Sequence, residues 1–145
     1  MRISDILRGK GSAVVTVEPA TDVRTLLGVL AEHRIGATVV SSDGTTIEGI
    51  VSERDIVRAL ADRGATVLSE PVSEIMTTDV KTCGPDAKVD ELMRTMTQGR
   101  FRHVPVVANN VLTGIVSIGD VVKHRVDELE DEREALSRYI TSGTS

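Results

Sequence analysis

The clearest pattern along the chain is an apolar stripe with helical spacing that occurs twice. In each copy, four apolar residues stand at positions i, i+3, i+4 and i+7, the spacing of one face of an α-helix. The stripes lie 66 residues apart and consist of Val23, Leu26, Leu27 and Leu30, and then of Val89, Leu92, Met93 and Met96. The pattern predicts two equivalent helices that each bury one face.

Short runs rich in β-branched residues surround each stripe in the same order. One run precedes the stripe, and two follow it on either side of a polar turn. The runs are 14–17, 37–41 and 47–51 in the first half, and 80–83, 103–107 and 111–116 in the second. With a helix after the last run, each half reads β-α-β-β-α behind a short helical lead-in. The chain is predicted to be an α/β (α+β) protein made of two packed repeats.

The two halves also share residues directly. GIVSERDIV at 49–57 matches GIVSIGDVV at 114–122, and ISDIL at 3–7 matches VSEIM at 72–76. A similarity that recurs at a nearly fixed offset is the sequence signature of a duplicated unit. Each half is therefore expected to place the same residue types at equivalent positions of the fold.

The repeats are assigned to residues 1–65 and 66–127, which leaves 128–145 as a C-terminal amphipathic helix. Its end, from Thr141 onward, is expected to fray. The apolar residues of this region have a heptad-like spacing: Val122, Val126, Leu129, Leu136 and Ile140. Such a helix needs a partner surface, either its own domain or a second copy of the chain. We favour a homodimer held in part by this helix.

Composition narrows the classes of partner. The formal net charge is −5, and the aromatic residues are Phe101 and Tyr139. Nucleic-acid binding needs a positive surface for the phosphates and several aromatic side chains for base stacking, so no nucleic-acid partner is expected. No apolar run approaches the roughly 18 residues of a membrane helix, and no membrane partner is expected. The single cysteine, Cys83, is interpreted as a buried thiol, and the lack of a disulfide favours a cytoplasmic location.

Two in-register copies of the motif G-h-h-[ST]-x-x-D, each before the last helix of a half, resemble the cystathionine beta-synthase (CBS) domain family. The run Arg102-His103-Val104-Pro105-Val106 is similar to a strand of the same family. The resemblance covers about residues 1–127 and implies a stand-alone, pseudo-two-fold pair of CBS domains. It implies two clefts between the halves that bind adenine nucleotides, and no catalysis.

The resemblance implies three kinds of group in each cleft. These are a carboxylate for the ribose hydroxyls, a hydroxyl for a phosphate, and backbone groups for the adenine edge: Asp55 and Asp120, Ser52 and Ser117, and the strands around Thr16 and Thr82. AMP is the expected ligand, with ADP, ATP, NAD and S-adenosylmethionine as alternatives. No cofactor, metal ligand or catalytic residue is expected.

Elementary chemistry supports a phosphate at these positions. A helix that begins at Ser52 or Ser117 presents unpaired N–H groups and the positive end of its dipole. The segment Arg102-His103-Val104 and the residue Arg54 complete the candidate site, because a guanidinium can grip two phosphate oxygens.

Each of these assignments has a structural alternative. Ser52-x-x-Asp55 and Ser117-x-x-Asp120 also have the form of a helix capping box, which needs no ligand. Arg54 can equally be a solvated residue of a first helical turn, and His103 an ordinary residue of a sheet face. The sequence leaves these alternatives open.

The two halves also differ within the motif itself. Gly119 stands where the first half has Arg54, and the first half lacks a counterpart of Arg102 and Pro105. The two clefts are therefore not expected to be equivalent.

Two functions remain in competition. The first is a regulatory sensor in which nucleotide binding changes an arrangement that an unidentified partner protein recognises. The second is a structural homodimerisation module with degenerate clefts. An enzyme is not expected, because the sequence has neither a metal-ligand cluster nor a glycine-rich phosphate loop.

Overall fold

The computed structural model describes residues 1–11 and 13–143. Its helices are α1 (Ile3–Lys10), α2 (Val23–His33), α3 (Glu53–Arg63), α4 (Val89–Gly99) and α5 (Ile118–Gly143). Its strands are β1 (Thr16–Val17), β2 (Ala37–Val40), β3 (Gly49–Ser52), β4 (His103–Ala108) and β5 (Val111–Ser117). Two 3₁₀ segments, Gly64–Ser69 and Val72–Glu74, connect the halves. This order confirms the predicted α/β class and the repeat of the unit, in which the first strand of the second half is reduced to a single bridging residue, Cys83.

Each half is built around a small sheet. In the first, β1 runs parallel to β2, and β2 pairs antiparallel with β3. In the second, β4 pairs antiparallel with β5, and Cys83 alone bridges to Val106 in the place that β1 occupies in the first half. Both predicted first strands are thus shorter than expected. Of residues 14–17, two pair with a neighbouring strand, and of residues 80–83, only Cys83 does.

The helix ends repeat as faithfully as the motifs. Arg34 is the C-cap residue of α2 and Arg100 that of α4, and both adopt the left-handed conformation, with φ of 54° and 56°. Their positions differ by 66 residues, the same offset as the apolar stripes. The duplication therefore extends to the backbone: both repeats place an arginine in the left-handed conformation, which is uncommon for a non-glycine residue.

Two hydrophobic cores lie side by side, and each borrows a segment from the other half. The core of β1–β3, α2 and α3 includes Val67 and Val72 from the connection that precedes the second repeat. The core of α4, β4 and β5 includes Ile3 and Ile6 from α1 at the start of the chain. Each core therefore combines residues from both halves, so the cores do not coincide with the sequence repeats at 1–65 and 66–127.

The C-terminal helix is longer than predicted. A single helix runs from Ile118 to Gly143, so the segment that begins at residue 128 is the continuation of the last helix of the second repeat. Val121 is fully buried, but Val126, Leu129 and Leu136 are 46%, 47% and 60% exposed. Within one chain, the stripe beyond Val126 therefore does not dock on its own domain.

The helix is described as far as Gly143, and residues 144 and 145 lie outside the described residues, so the fraying expected from Thr141 onward stays a prediction. No helix in the described part of the chain is long and apolar enough to cross a membrane.

Candidate functional site

A cavity of about 310 Å³ lies where the two halves meet. The first half contributes the start of β2 and the junction between β3 and α3. The second half contributes the segment just before Cys83 and the turn that leads into β4. Its lining residues include five that the sequence predicted: Ser52, Arg54, Asp55, Arg102 and His103.

One wall of the cavity is attached to β3 by close backbone contact. Ile50 and Thr77 exchange two backbone hydrogen bonds, with N to O distances of 2.9 and 2.8 Å. Gly49 permits this approach, because a Cβ at that position would lie 2.6 Å from Met76 Sδ and 2.9 Å from the Thr77 carbonyl oxygen. The glycine that opens the GIVS motif thus allows this approach, and the two backbone hydrogen bonds hold Thr77 at the wall of the cavity.

Ser52 and Asp55 form a reciprocal capping box at the start of α3. The Ser52 backbone N–H donates to Asp55 Oδ2 at 2.9 Å, and Ser52 Oγ lies 3.1 Å from the same oxygen. The structure therefore confirms the capping role. It leaves Asp55 Oδ1 outside every hydrogen bond found among the described residues, so the carboxylate can cap its helix and still accept from ribose hydroxyls.

The cavity is rich in cations, only some of which were predicted from the sequence. Arg54 and Arg58 lie one turn apart on α3, while Lys81, Arg100 and Arg102 belong to the second half. Among the described residues, none of the salt bridges involves any of these five side chains. Arg54 makes a single long hydrogen bond, from Nη1 to the Arg100 carbonyl oxygen at 3.5 Å.

His103 is a lining residue of the cavity that comes from the second half, and its Cε1 would lie 3.5 Å from a Cβ at Gly36 in the first. Burial and the nearby Lys10 lower the pKa of His103 from its ordinary value of 6.5, against the opposing effect of Glu53 and Asp120. The imidazole is therefore neutral at neutral pH, and the positive charge of the cavity comes from its arginines and lysine.

The second motif repeats the capping geometry but has an additional partner. The Ser117 N–H donates to Asp120 Oδ2 at 2.9 Å, and the Asp120 N–H donates to Ser117 Oγ at 3.1 Å. Lys10 Nζ donates to Asp120 Oδ2 at 2.6 Å and to the Ile115 carbonyl oxygen at 2.9 Å. Although burial raises the pKa of Asp120, these hydrogen bonds hold it below its ordinary value.

The remaining predicted residues lie outside the cavity. Thr16 pairs with Val39 inside the first sheet, and Val104 is 1% exposed in the second core. Thr82 is exposed and does not line the cavity, although the two residues before it, Val80 and Lys81, do. The assignment of Thr16, Thr82, Val104, Ser117 and Asp120 to a ligand stays a prediction.

Sequence reasoning missed several lining residues, among them Arg58, Thr77, Asp79, Lys81 and Arg100. Arg58 could have been found, since it stands four residues after Arg54 on the same helix face. The others come from the connection and from a helix end, where no motif marks them.

The chain matches the family model for the CBS domain twice, over residues 3–62 and 72–127. It belongs to the CBS domain family. A CBS-domain containing protein from Agrobacterium tumefaciens has the same fold with a TM-score of 0.83 and 48% sequence identity, over 86% of this chain and 99% of that one. These findings confirm the resemblance inferred from the two motifs.

Two further solved CBS proteins are described with ligands. A CBS domain protein from Pyrobaculum aerophilum, complexed with AMP, is 30% identical with a TM-score of 0.72, over 83% of this chain and 89% of that one. A CBS domain pair in complex with 5′-methylthioadenosine and S-adenosyl-L-methionine is 25% identical with a TM-score of 0.78, over 88% and 98% of the two chains.

Proposed function

We propose that this CBS pair is a non-catalytic regulatory module that binds an adenine nucleotide in the cavity between its halves. The observation that carries the proposal is the meeting of Ser52 and Asp55 from one half with Arg102 and His103 from the other. A free carboxylate oxygen suits two ribose hydroxyls, and a helix N-terminus beside arginines suits phosphate.

The ligands of the related structures support this class of ligand. One CBS protein is described with AMP, and another with 5′-methylthioadenosine and S-adenosyl-L-methionine. The molecules share an adenosyl group and differ in what is attached to its ribose. We therefore infer that adenosine recognition is the common element, and that the attached group is read by residues particular to each protein.

Binding acts through the arrangement of the halves. A ligand in this cavity touches the β3–α3 junction of one half and the segments 77–81 and 100–103 of the other. The bound ligand stabilises the arrangement in which both walls contact it. The shift in the equilibrium between two arrangements is set by the difference in the ligand's affinity for them. The regulated partner reads that difference, and in the proposed homodimer the exposed stripe of α5 forms part of the interface.

A calorimetric titration of the whole chain with adenine nucleotides tests the proposal. We expect saturable binding that Asp55→Ala abolishes and that Asp120→Ala leaves intact, since Asp55 lines the cavity and Asp120 does not. The melting temperature of each variant without ligand is the control for folding. Binding that survives Asp55→Ala and is lost in Asp120→Ala would assign the function to the other cleft.

A structural dimerisation module is the second candidate. It is favoured by the exposed apolar side chains along α5, with Leu136 60% and Ile140 57% exposed. A dimer that forms with no saturable response to any adenosyl ligand would establish this candidate instead. The cytoplasmic location stays a prediction in either case.

A further inference from the structure

The cavity carries more positive charge than one phosphate can use. Five cationic side chains face it, and the acidic side chains that line it are Glu53, Asp55 and Asp79. A single phosphate offers three terminal oxygens, which one or two guanidinium groups already satisfy. The chain as a whole has a formal net charge of −5, so this concentration of cations is not a property of its surface in general.

These cations are also unpaired. All five belong to exposed residues, and among the described residues none forms an ion pair. Elsewhere in the described chain, charged side chains do find partners, as Arg63 does with Glu70 at 2.6 Å. Unpaired like charges repel each other, and an anion placed among them removes that repulsion.

The cations are arranged in a direction that suits a chain of phosphates. Asp55 marks the ribose end and Ser52 the first phosphate at the start of α3, with Arg54 in the first turn. Arg58 stands one turn further along the helix, roughly 5.4 Å away. Arg100 and Arg102 line the same cavity from the second half, so a phosphate chain that leaves the ribose along α3 would have guanidinium groups from both halves of the chain.

We propose that this cavity selects adenosine di- or triphosphate over AMP, and rejects the cationic S-adenosylmethionine. The proposal rests on the proposed function, because it names the ligand class of the same site. Asp55 recognises the ribose that all adenosyl ligands share, Ser52 binds the first phosphate, and Arg58 and Arg100 act as specificity-determining residues for the second and third phosphates. It replaces AMP, the ligand that the sequence favoured.

The test is a set of calorimetric titrations with adenosine, AMP, ADP, ATP and S-adenosylmethionine on the whole chain. We expect ATP to bind at least about tenfold more tightly than AMP at roughly 0.1 M salt, and the difference to shrink near 1 M, where the Debye length falls to about 3 Å. S-Adenosylmethionine should bind more weakly than AMP.

Two variants separate the phosphate-reading residues from the rest. Arg58→Gln and Arg100→Gln should each lower the affinity for ATP about two- to fivefold, the range expected for an exposed ion pair, and leave the affinity for AMP unchanged. Arg24→Gln, a change of the same charge on α2 away from the cavity, is the matched control and should alter neither affinity.

The outcomes distinguish the two proposals. If AMP or S-adenosylmethionine binds as tightly as ATP, the selectivity is wrong while the adenine-nucleotide function stands. The selectivity is equally wrong if Arg58→Gln and Arg100→Gln weaken AMP and ATP to the same extent. If the melting curve shows that the wild-type chain is folded and no adenosyl ligand binds it, both the proposed function and the proposed selectivity are wrong.

Discussion

Lys10 Nζ lies 2.6 Å from Asp120 Oδ2, while no cation lies within ion-pair distance of the equivalent Asp55 among the described residues. Lys10 is the last residue of α1, and the stretch from the ISDIL motif to the first strand is three residues longer than the stretch from VSEIM to Cys83. The offset between the halves falls accordingly from 69 residues at Ile3 and Val72 to 66 at Val17 and Cys83. This local insertion makes the two clefts unequal.

We predict that the wild-type chain binds one nucleotide and that Lys10→Met raises the stoichiometry above one. The methionine keeps the aliphatic stem but removes the cation from Asp120, whose carboxylate then keeps only its capping bond from the Ser117 N–H, as Asp55 does from Ser52. Because both partners are partly exposed, at 35% and 23% of their side-chain surface, the loss of stability should stay below about 1 kcal/mol. Calorimetry gives the stoichiometry, and urea denaturation gives the free energy of unfolding.

Arg8→Met is the matched control for Lys10→Met. Arg8 lies on the same helix, and its ion pair with Asp5 is local and largely exposed, so its loss should change neither stoichiometry nor affinity. Two nucleotides bound to the wild-type chain, or one bound to both variants, would contradict the assigned role of Lys10.

The pH dependence of stability should carry a contribution from His103. Burial and Lys10 lower its pKa below 6.5 in the folded chain, so the unfolded chain binds the proton more readily. The stability is therefore complete above pH 6.5 and decreases as the pH falls from there toward the folded pKa. The free energy of unfolding, measured by denaturant titration between about pH 8 and pH 5, tests this.

His103→Gln should remove that part of the slope while leaving the carboxylates in place. His33→Gln changes an exposed histidine at the end of α2 and serves as the control. If the two variants and the wild type lose stability in parallel over this range, burial of the His103 imidazole does not set the slope.

The cavity residues that could be predicted from the sequence stand at repeated motif positions, and those that were missed reach the cavity through contacts between the halves. Ser52, Asp55, Arg102 and His103 were found because each stands at a motif position, and they share one cavity. Thr77, Lys81 and Arg100 were missed because their place at the cavity follows from the bridge between Ile50 and Thr77 and from the left-handed end of α4. No periodicity encodes either feature.

The exchange of lead-in segments was also beyond the sequence. The match between ISDIL and VSEIM indicated equivalent segments, but not that each packs on the other half's core. Their apolar residues fit either core, and the choice is made by three-dimensional contacts such as the hydrogen bond from Ile3 N to the Ala87 carbonyl oxygen, 2.9 Å long.

Because of that exchange, Ile3→Ala should destabilise the second core although it lies at the start of the chain. Ile3 is fully buried, and truncation of such a side chain costs about 2–5 kcal/mol. Met1→Ala, at a position that is 59% exposed, should cost little. Urea denaturation gives both values, and a loss for Ile3→Ala no larger than that for Met1→Ala would show that α1 is not part of the core in solution.

The exposed stripe of α5 makes a prediction about assembly. Leu136 is 60% exposed in a single chain, so Leu136→Asp should leave the fold intact while it places a charge in an apolar dimer interface. We expect the wild type to sediment as a dimer in analytical ultracentrifugation, and the variant to dissociate at least about tenfold more readily, the effect of roughly 1.4 kcal/mol. Ser137→Asp adds the same charge to the neighbouring exposed position, off the stripe, and should leave the dimer unchanged. A wild-type chain that sediments as a monomer, or a dimer that Leu136→Asp does not weaken, would remove α5 from the interface.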